Sequence, residues 1–420
     1  MAATSPVPSS AALSAQWAAS ALFCGYGLLF ATLGLNLPGI KAALGLSDTQ
    51  VGAGLLAVSV GSLLTMPLTG GWAERWGSAR LTRLGALLTF SALALPFFST
   101  SLPTLILAFA VLGLCNGVLD VALSAQGVTV EKAAERPLMS RLHAFYSLGG
   151  LGGALAGGLL VGRVPALWHV GAVLGVMLSL ASWAWPRLLA DAGQTQARPL
   201  RPDPVEIGQG AISGPAGMEV QDSAAAPPDT RPDRRALLLG GLCFLGMLTE
   251  GANYDWAALY YRDVLQVQAG EVAWGYGAFA GAMALGRWFG DRFRTWAGDL
   301  WAVRGGALLA AGGLSVALLS PHPVTATFGF ALSGLGLSNV VPVMYSVAGH
   351  ALAGRGIAAV ATTGYAGFLL GPPAIGFLSD AVGLRPALSV AAAGAALVSL
   401  LAGQVFRAVQ PSQAEVKLTQ

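Results

Sequence analysis

Apolar positions run down this chain in long blocks, separated by short breaks rich in charge or in Pro, Gly and Ser. Twelve blocks approach the roughly 20 residues that a helix needs to cross the hydrocarbon of a bilayer. The first six are predicted near Trp17 to Leu37, Val51 to Gly71, Leu81 to Phe98, Thr104 to Ala125, Leu142 to Gly162 and Ala166 to Trp185. The second six are predicted near Ala236 to Trp256, Val272 to Phe289, Ala302 to Leu319, Thr325 to Tyr345, Ile357 to Phe377 and Ala387 to Phe406. The pattern predicts an all-α membrane protein with twelve transmembrane helices.

The segment between the sets, residues 190–233, holds seven prolines, mixed charge and no aromatic residue. It cannot bury enough surface to fold alone and is expected to be a disordered cytoplasmic linker. The expected organisation is a tail over 1–16, a six-helix bundle over 17–189, the linker, a second six-helix bundle over 234–407 and a tail over 408–420.

Composition agrees with lipid as the solvent: the 420 residues are 55% hydrophobic and 10% charged, with mean hydropathy +0.64. Of the 23 lysines and arginines, the predicted helices put 19 on one side of the membrane; only Lys41, Arg163, Arg262 and Arg385 fall on the other. The positive-inside rule then places both termini in the cytoplasm, as in an inner-membrane protein. No basic run precedes the first apolar block, so that helix is expected to be retained rather than cleaved as a signal. Cys24, Cys115 and Cys243 lie far apart inside apolar blocks without C-x-x-C spacing, and neither a metal nor a cofactor is expected.

The halves overlay at an offset of about 217 to 223 residues. Gly34-Leu35-Asn36 matches Gly251-Ala252-Asn253, Glu74-Arg75 matches Asp291-Arg292, and Gly113 to Asn116 matches Gly336 to Asn339. A repeat in this order predicts two pseudo-symmetric bundles around a central site.

Between the second and third blocks lies Gly70-Gly71-Trp72-Ala73-Glu74-Arg75-Trp76-Gly77-Ser78-Ala79-Arg80. This stretch resembles the loop motif of the major facilitator superfamily, with Glu74 where Asp is usual. The resemblance implies a transporter working by alternating access, with Gly70, Glu74, Arg75, Gly77 and Arg80 as a cytoplasmic gating motif and Asp291 and Arg292 in a looser second copy. Gly149 to Gly158 is similar to the glycine-rich fifth helix of drug and proton antiporters, with Ala154 at the position of its proline. Glu250 to Trp256 and Gly367 to Phe377 look similar to a bacterial branch related to fucose permeases. Pro372 and Pro373 remove backbone hydrogen bonds within the eleventh helix and are read as a kink and hinge.

Ionisable residues inside spans are costly and are treated as functional candidates. A carboxyl group shielded from water takes up a proton more readily than one in solution. Glu250 and Asp120 are the first and second candidates for a proton-coupling site, with His143 as a possible relay. The alternative for Asp120 is a cytoplasmic lock with Arg141, Arg80 or Arg75. Asn36, Asn116, Asn253 and Asn339, with Tyr254, are candidates for lining a substrate cavity; their amides can equally tie helices together.

No phosphate-binding loop, H-E-x-x-H or G-x-S-x-G motif occurs, which disfavours a primary pump and an enzyme. The function expected is secondary, proton-coupled transport of a small solute. Export of a drug or metabolite is the alternative to uptake of a polar solute; a membrane-embedded sensor or enzyme is the remote one. The expected partners are a small-molecule substrate, the lipid bilayer and the proton, without nucleic acid, and the chain is read as a monomer.

Overall fold

The computed structural model describes residues 10–135, 138–190, 234–351 and 354–409, without the side chains at 74, 140, 291, 349–351, 354–359 and 361. The predicted linker beyond 190 and most of both tails lie outside the described residues. The first bundle contains α1 (Ser10–Leu44), α2 (Asp48–Trp76), α3 (Ser78–Ala92), α4 (Leu102–Ala134), α5 (Met139–Leu160) and α6 (Ala166–Ala184). The second contains α7 (Arg234–Leu259), α8 (Ala273–Ala297), α9 (Asp299–Leu319), α10 (Pro323–Leu337), α11 (Val340–Ala351), α12 (Gly354–Val382) and α13 (Leu384–Val409). The tenth predicted span is thus α10 and α11, parted at Ser338-Asn339. Pro342 lacks the N–H that would bond the Ser338 carbonyl, so the helical ladder is interrupted there.

Among the described residues nine helices are long and apolar enough to cross a membrane. The three other predicted spans are α5, α8 and α12. These helices line the contact between the halves, where α5 packs along α8 and α12 along α2. Close packing there calls for glycine, and the central cavity calls for charge; both lower hydropathy.

The repeat is visible in the packing. In the first half α2 lies on α4, α1 on α5 and α3 on α6; in the second α8 lies on α10, α7 on α12 and α9 on α13. The contacts are made at matching glycines. A Cβ on Gly149 would collide with the Cys24 carbonyl oxygen, and one on Gly367 with that of Phe244, its counterpart at the repeat offset. Gly113 against Val58 and Gly334 against Phe279 form a second such pair. Without a hydrophobic force between helices in lipid, this backbone approach supplies much of the association energy. Gly149→Val, which drives a side chain into a helix backbone inside one bundle, is expected to destabilise the fold by about 3 kcal/mol or more. Loss of the monodisperse peak in detergent and a lower Tm would report it; an unchanged Tm would exclude the close crossing.

Candidate functional site

One cavity of about 520 Å³ lies between the halves. It runs from Leu33 and Pro372, about two-thirds of the way along α1 and α12, to Met139 and Arg294, close to the end of the bundle where α1 begins. That end is called the terminal end below, and the opposite one the far end. Glu250, Asp120, His143, Asn116, Tyr254 and Asn339, all singled out from sequence, line this cavity.

Glu250 on α7 is 7% exposed and is held by Arg287 on α8, whose Nη2 donates to Glu250 Oε1 at 3.0 Å. Arg287 Nη1 donates to Ser147 Oγ on α5, at 2.9 Å, so one guanidinium links a carboxylate of its own half to a hydroxyl of the other. A second link crosses from Tyr365 on α12, whose hydroxyl donates to Asp120 Oδ2 on α4 at 2.5 Å. Asp120 makes no ion pair with Arg141, Arg80 or Arg75 among the described residues, so the lock considered for it is not formed. One turn earlier Asn116 accepts from Tyr26 at 2.7 Å and donates to Ser62 at 3.0 Å. His143 packs against Phe23 with ring centroids 5.2 Å apart.

The structure separates the four amides. Asn36 Nδ2 donates to the Thr32 carbonyl at 2.8 Å and lies 3.2 Å from His169 Nδ1 on α6; Asn253 Nδ2 donates to the Thr249 carbonyl at 2.7 Å. Both are buried but neither lines the cavity. Asn36 ties α1 to α6 through His169, Asn253 bonds within its own helix, and of the four only Asn116 and Asn339 line the central space. Asp255, about 140° round α7 from Glu250, lines the cavity too, so a single helical stripe is too narrow a description of that helix.

The charge count places Arg287 among the 19 basic residues of one side of the membrane. It lies within α8, nearly three turns before the end of that helix is reached, and pairs with the principal acid. The available signal was its place inside the predicted span ending at Phe289.

At the terminal end Gly77 closes α2 with φ 86° and donates its N–H to Ala73; Gly298 closes α8 with φ 81° and donates to Arg294. These two glycines are the structural counterparts. The second copy of the loop motif is therefore displaced: Asp291 and Arg292 sit seven and six residues before that turn, whereas Glu74 and Arg75 sit three and two before theirs. Gly70, Arg75, Arg80 and Arg292 are exposed, and the three arginines form no ion pair among the described residues. The Glu74 and Asp291 side chains lie outside the described residues.

The far end is sealed by groups that sequence reasoning passed over. Lys41 on α1 reaches Asp48 at 2.5 Å and Asp263, beyond α7, at 2.7 Å. Asp380 of α12 accepts from the backbone N–H groups of Asp48 and Thr49, both at 2.9 Å, and so caps α2 from the opposite half. A carboxylate there meets unpaired amides and the positive end of a helix dipole. Ser379 also donates to Asp48. The hint in the sequence was that acids border the charge-poor side at helix ends. Asp380→Ala is expected to cost the sealed state about 1 kcal/mol after allowance for solvent, roughly a fivefold shift in population. Maleimide labelling of a cysteine placed at position 55, on the α2 wall of the cavity, should accelerate from the far side by that factor; an unchanged rate would show that the cap does not hold the seal.

Pro372 and Pro373 lie inside α12, which runs on through them. The Leu369 carbonyl, deprived by Pro373 of its helical donor, accepts from Ser59 Oγ on α2 at 2.8 Å. The proline pair thus presents an acceptor to the other half.

The Major Facilitator Superfamily profile matches residues 19–372. The chain belongs to the major facilitator superfamily. This facilitator is 34% identical over 389 residues to an uncharacterised MFS-type transporter of Yersinia pestis, spanning 91% of this chain and 92% of that one. It is 32% identical over 365 residues to the membrane protein MosC of Rhizobium meliloti, spanning 86% and 83%. Among solved structures it is similar to a bacterial homologue of the human lysosomal transporter Spinster in an inward-facing, unoccupied conformation, with TM-score 0.68, 15% identity and 96% and 99% of the chains covered. The nucleoside transporter NupG matches with TM-score 0.66 at 13% identity over 95% and 99%. At these identities the two structures establish the fold of this facilitator and leave its cargo open. It is a multi-pass membrane transporter of the secondary type for a small molecule.

Proposed function

We propose that this facilitator couples the movement of its solute to protons, and that Glu250 with Arg287 is the coupling centre. The observation that carries the reading is the pair of polar links across the cavity, Arg287 to Ser147 and Tyr365 to Asp120, each of whose cross-half contacts is anchored on an intramembrane carboxylate. Protonation of Glu250 removes the attraction that positions Arg287, and with it the hydrogen bond to α5. Protonation of Asp120 weakens the acceptor that ties α12 to α4. Each step loosens one half from the other, which is what a proton must do to drive rocking between two states. His143, on the same cavity wall, can pass protons toward the terminal end.

In this reading the terminal end is cytoplasmic, the membrane is the inner membrane and the chain works as a monomer. The state described is then inward-open, with the far end closed by Lys41, Asp48, Asp263 and Asp380. The loop around Gly70 to Arg80, with Asp291 and Arg292, acts on the cytoplasmic side when that side closes, and the Pro372-Pro373 turn of α12 is a hinge.

The test is reconstitution into proteoliposomes with an imposed pH gradient and a panel of radiolabelled sugars, amines, organic anions and nucleosides. Glu250→Gln is expected to retain counterflow and to lose gradient-driven accumulation, and Asp120→Asn to lose at least part of it. Undiminished accumulation in both variants would sink the coupling assignment.

A further inference from the structure

The charges that face the cavity do not balance. Both arginines are committed: Arg287 to Glu250, and Arg294 to Asp299 at 2.9 Å, with Ser346 as a further acceptor at 3.1 Å. The acids are not. Asp120 has a phenol as its partner and no cation, and Asp255 has neither a hydrogen-bond nor an ion-pair partner among the described residues. A carboxylate at membrane depth without a counter-charge is costly and calls for a neutralising ligand.

The surroundings of Asp120 say what kind. Tyr365 touches it directly; Tyr26, bonded to Asn116 one turn away, stacks edge-on with Phe30 at 5.3 Å and with Tyr146 at 5.4 Å between centroids. All four rings line the cavity. Aromatic faces around a carboxylate attract an ammonium group, whose charge the acid balances and whose methylenes the rings cover. A bare metal ion fits poorly: no group of three or more His, Cys, Asp or Glu with metal-binding geometry occurs among the described residues. The volume, about 520 Å³, falls in the range of organic ligands.

We propose that the cavity receives a small monovalent organic cation, an amine in its ammonium form, with its charge on Asp120 and its apolar part against Tyr26, Tyr146 and Tyr365. The proposal rests on reading this cavity as the transport site, and it names the class of cargo.

Equilibrium binding to the purified, full-length protein in detergent tests it without any gradient. Three probes of one shape and different charge are compared by calorimetry: 2-phenylethylammonium, 2-phenylethanol and 3-phenylpropanoate. The cation should bind at least about tenfold more tightly than the alcohol, and the carboxylate more weakly still. Asp120→Asn should bring the cation down to the level of the alcohol. Tyr365→Phe, which keeps the ring, should stay within about threefold of the parent, while Tyr365→Leu should lose about tenfold. Melting curves check that each variant is folded, and the charge series on the unaltered protein stands even where a variant is not. Equal or tighter binding of the alcohol or the carboxylate, no binding of any of the three, or an unchanged affinity for the cation in Asp120→Asn overturns the proposal. Failure of proton-driven flux with cation binding intact removes the coupling assignment alone.

Discussion

Arg287→Ala is expected to abolish transport and to lower stability by about 3 to 5 kcal/mol, because it strands the Glu250 carboxylate, only 10% exposed, without a cation. The size of the effect comes from the asymmetry of buried ion pairs. Keeping both charges in a low-dielectric site gains little over an apolar pair, whereas keeping one leaves its desolvation uncompensated. The double variant Glu250→Leu/Arg287→Met should therefore recover parental stability or exceed it, and still carry nothing. Melting in detergent reads the first half of that statement, and flux of whichever panel solute the parent carries reads the second. A single variant as stable as the parent would mean that Arg287 and Glu250 are not paired in the membrane, and a transporting double variant would mean that the pair is only structural.

Gly376→Leu is expected to stop transport without unfolding the protein. A Cβ at Gly376 would sit 2.8 Å from the Asp48 carbonyl oxygen, 2.8 Å from Gly52 Cα and 3.0 Å from the Trp256 ring. Asp48 and Gly52 belong to α2, in the other half, so the added side chain acts as a wedge between bundles. Contrast Gly149, whose neighbour Cys24 lies in the same bundle and whose substitution damages the fold itself. The wedge opposes closure of the far end and moves the population to the opposite state, where the far side is open. With Cys24, Cys115 and Cys243 replaced by Ala, a cysteine at Leu55 should label from the far side about tenfold faster in Gly376→Leu than in the parent, and one at Ser124 more slowly. Identical labelling at both positions would mean that this contact does not change between states.

Much of the architecture was legible because lipid imposes a length on every crossing and the sequence obeys it, block by block. The repeat was legible for a similar reason: glycines such as Gly149 and Gly367 are required where backbones touch, and nothing larger replaces them. Facing was harder. Lipid and the bundle interior are both apolar, so a helix such as α9 needs no polar stripe to tell its inner side from its outer side. Asn36 and Asn253 accordingly looked like cavity residues and turned out to bond to backbone and to His169. Glu250 could be found alone, as an acid in an apolar block. Its partner was less plain: Arg287 lies inside the predicted span ending at Phe289 but, near Arg292 and Arg294, enters only the count of charges on one side. The far-end seal escaped for another reason: Lys41, Asp48, Asp263 and Asp380 are ordinary helix-end residues until folding brings the halves together.

The central claim is that two bundles rock about the cavity in response to protons on its carboxylates. The most direct test needs no knowledge of the cargo. Spin labels are placed at exposed helical positions, as one pair at the far end, positions 43 and 381, and as another at the terminal end, positions 76 and 296. Distances are then measured by electron paramagnetic resonance in lipid nanodiscs across the pH range. The acidic and basic groups facing the cavity are Asp120, His143, Glu250, Asp255, Arg287 and Arg294. The account predicts two populations, with the far-end pair lengthening whenever the terminal-end pair shortens, a balance that moves with pH in the parent, and a balance that no longer follows pH in Glu250→Gln/Asp120→Asn. One fixed distance at each end at every pH, or a pH response that persists in the double variant, would contradict it.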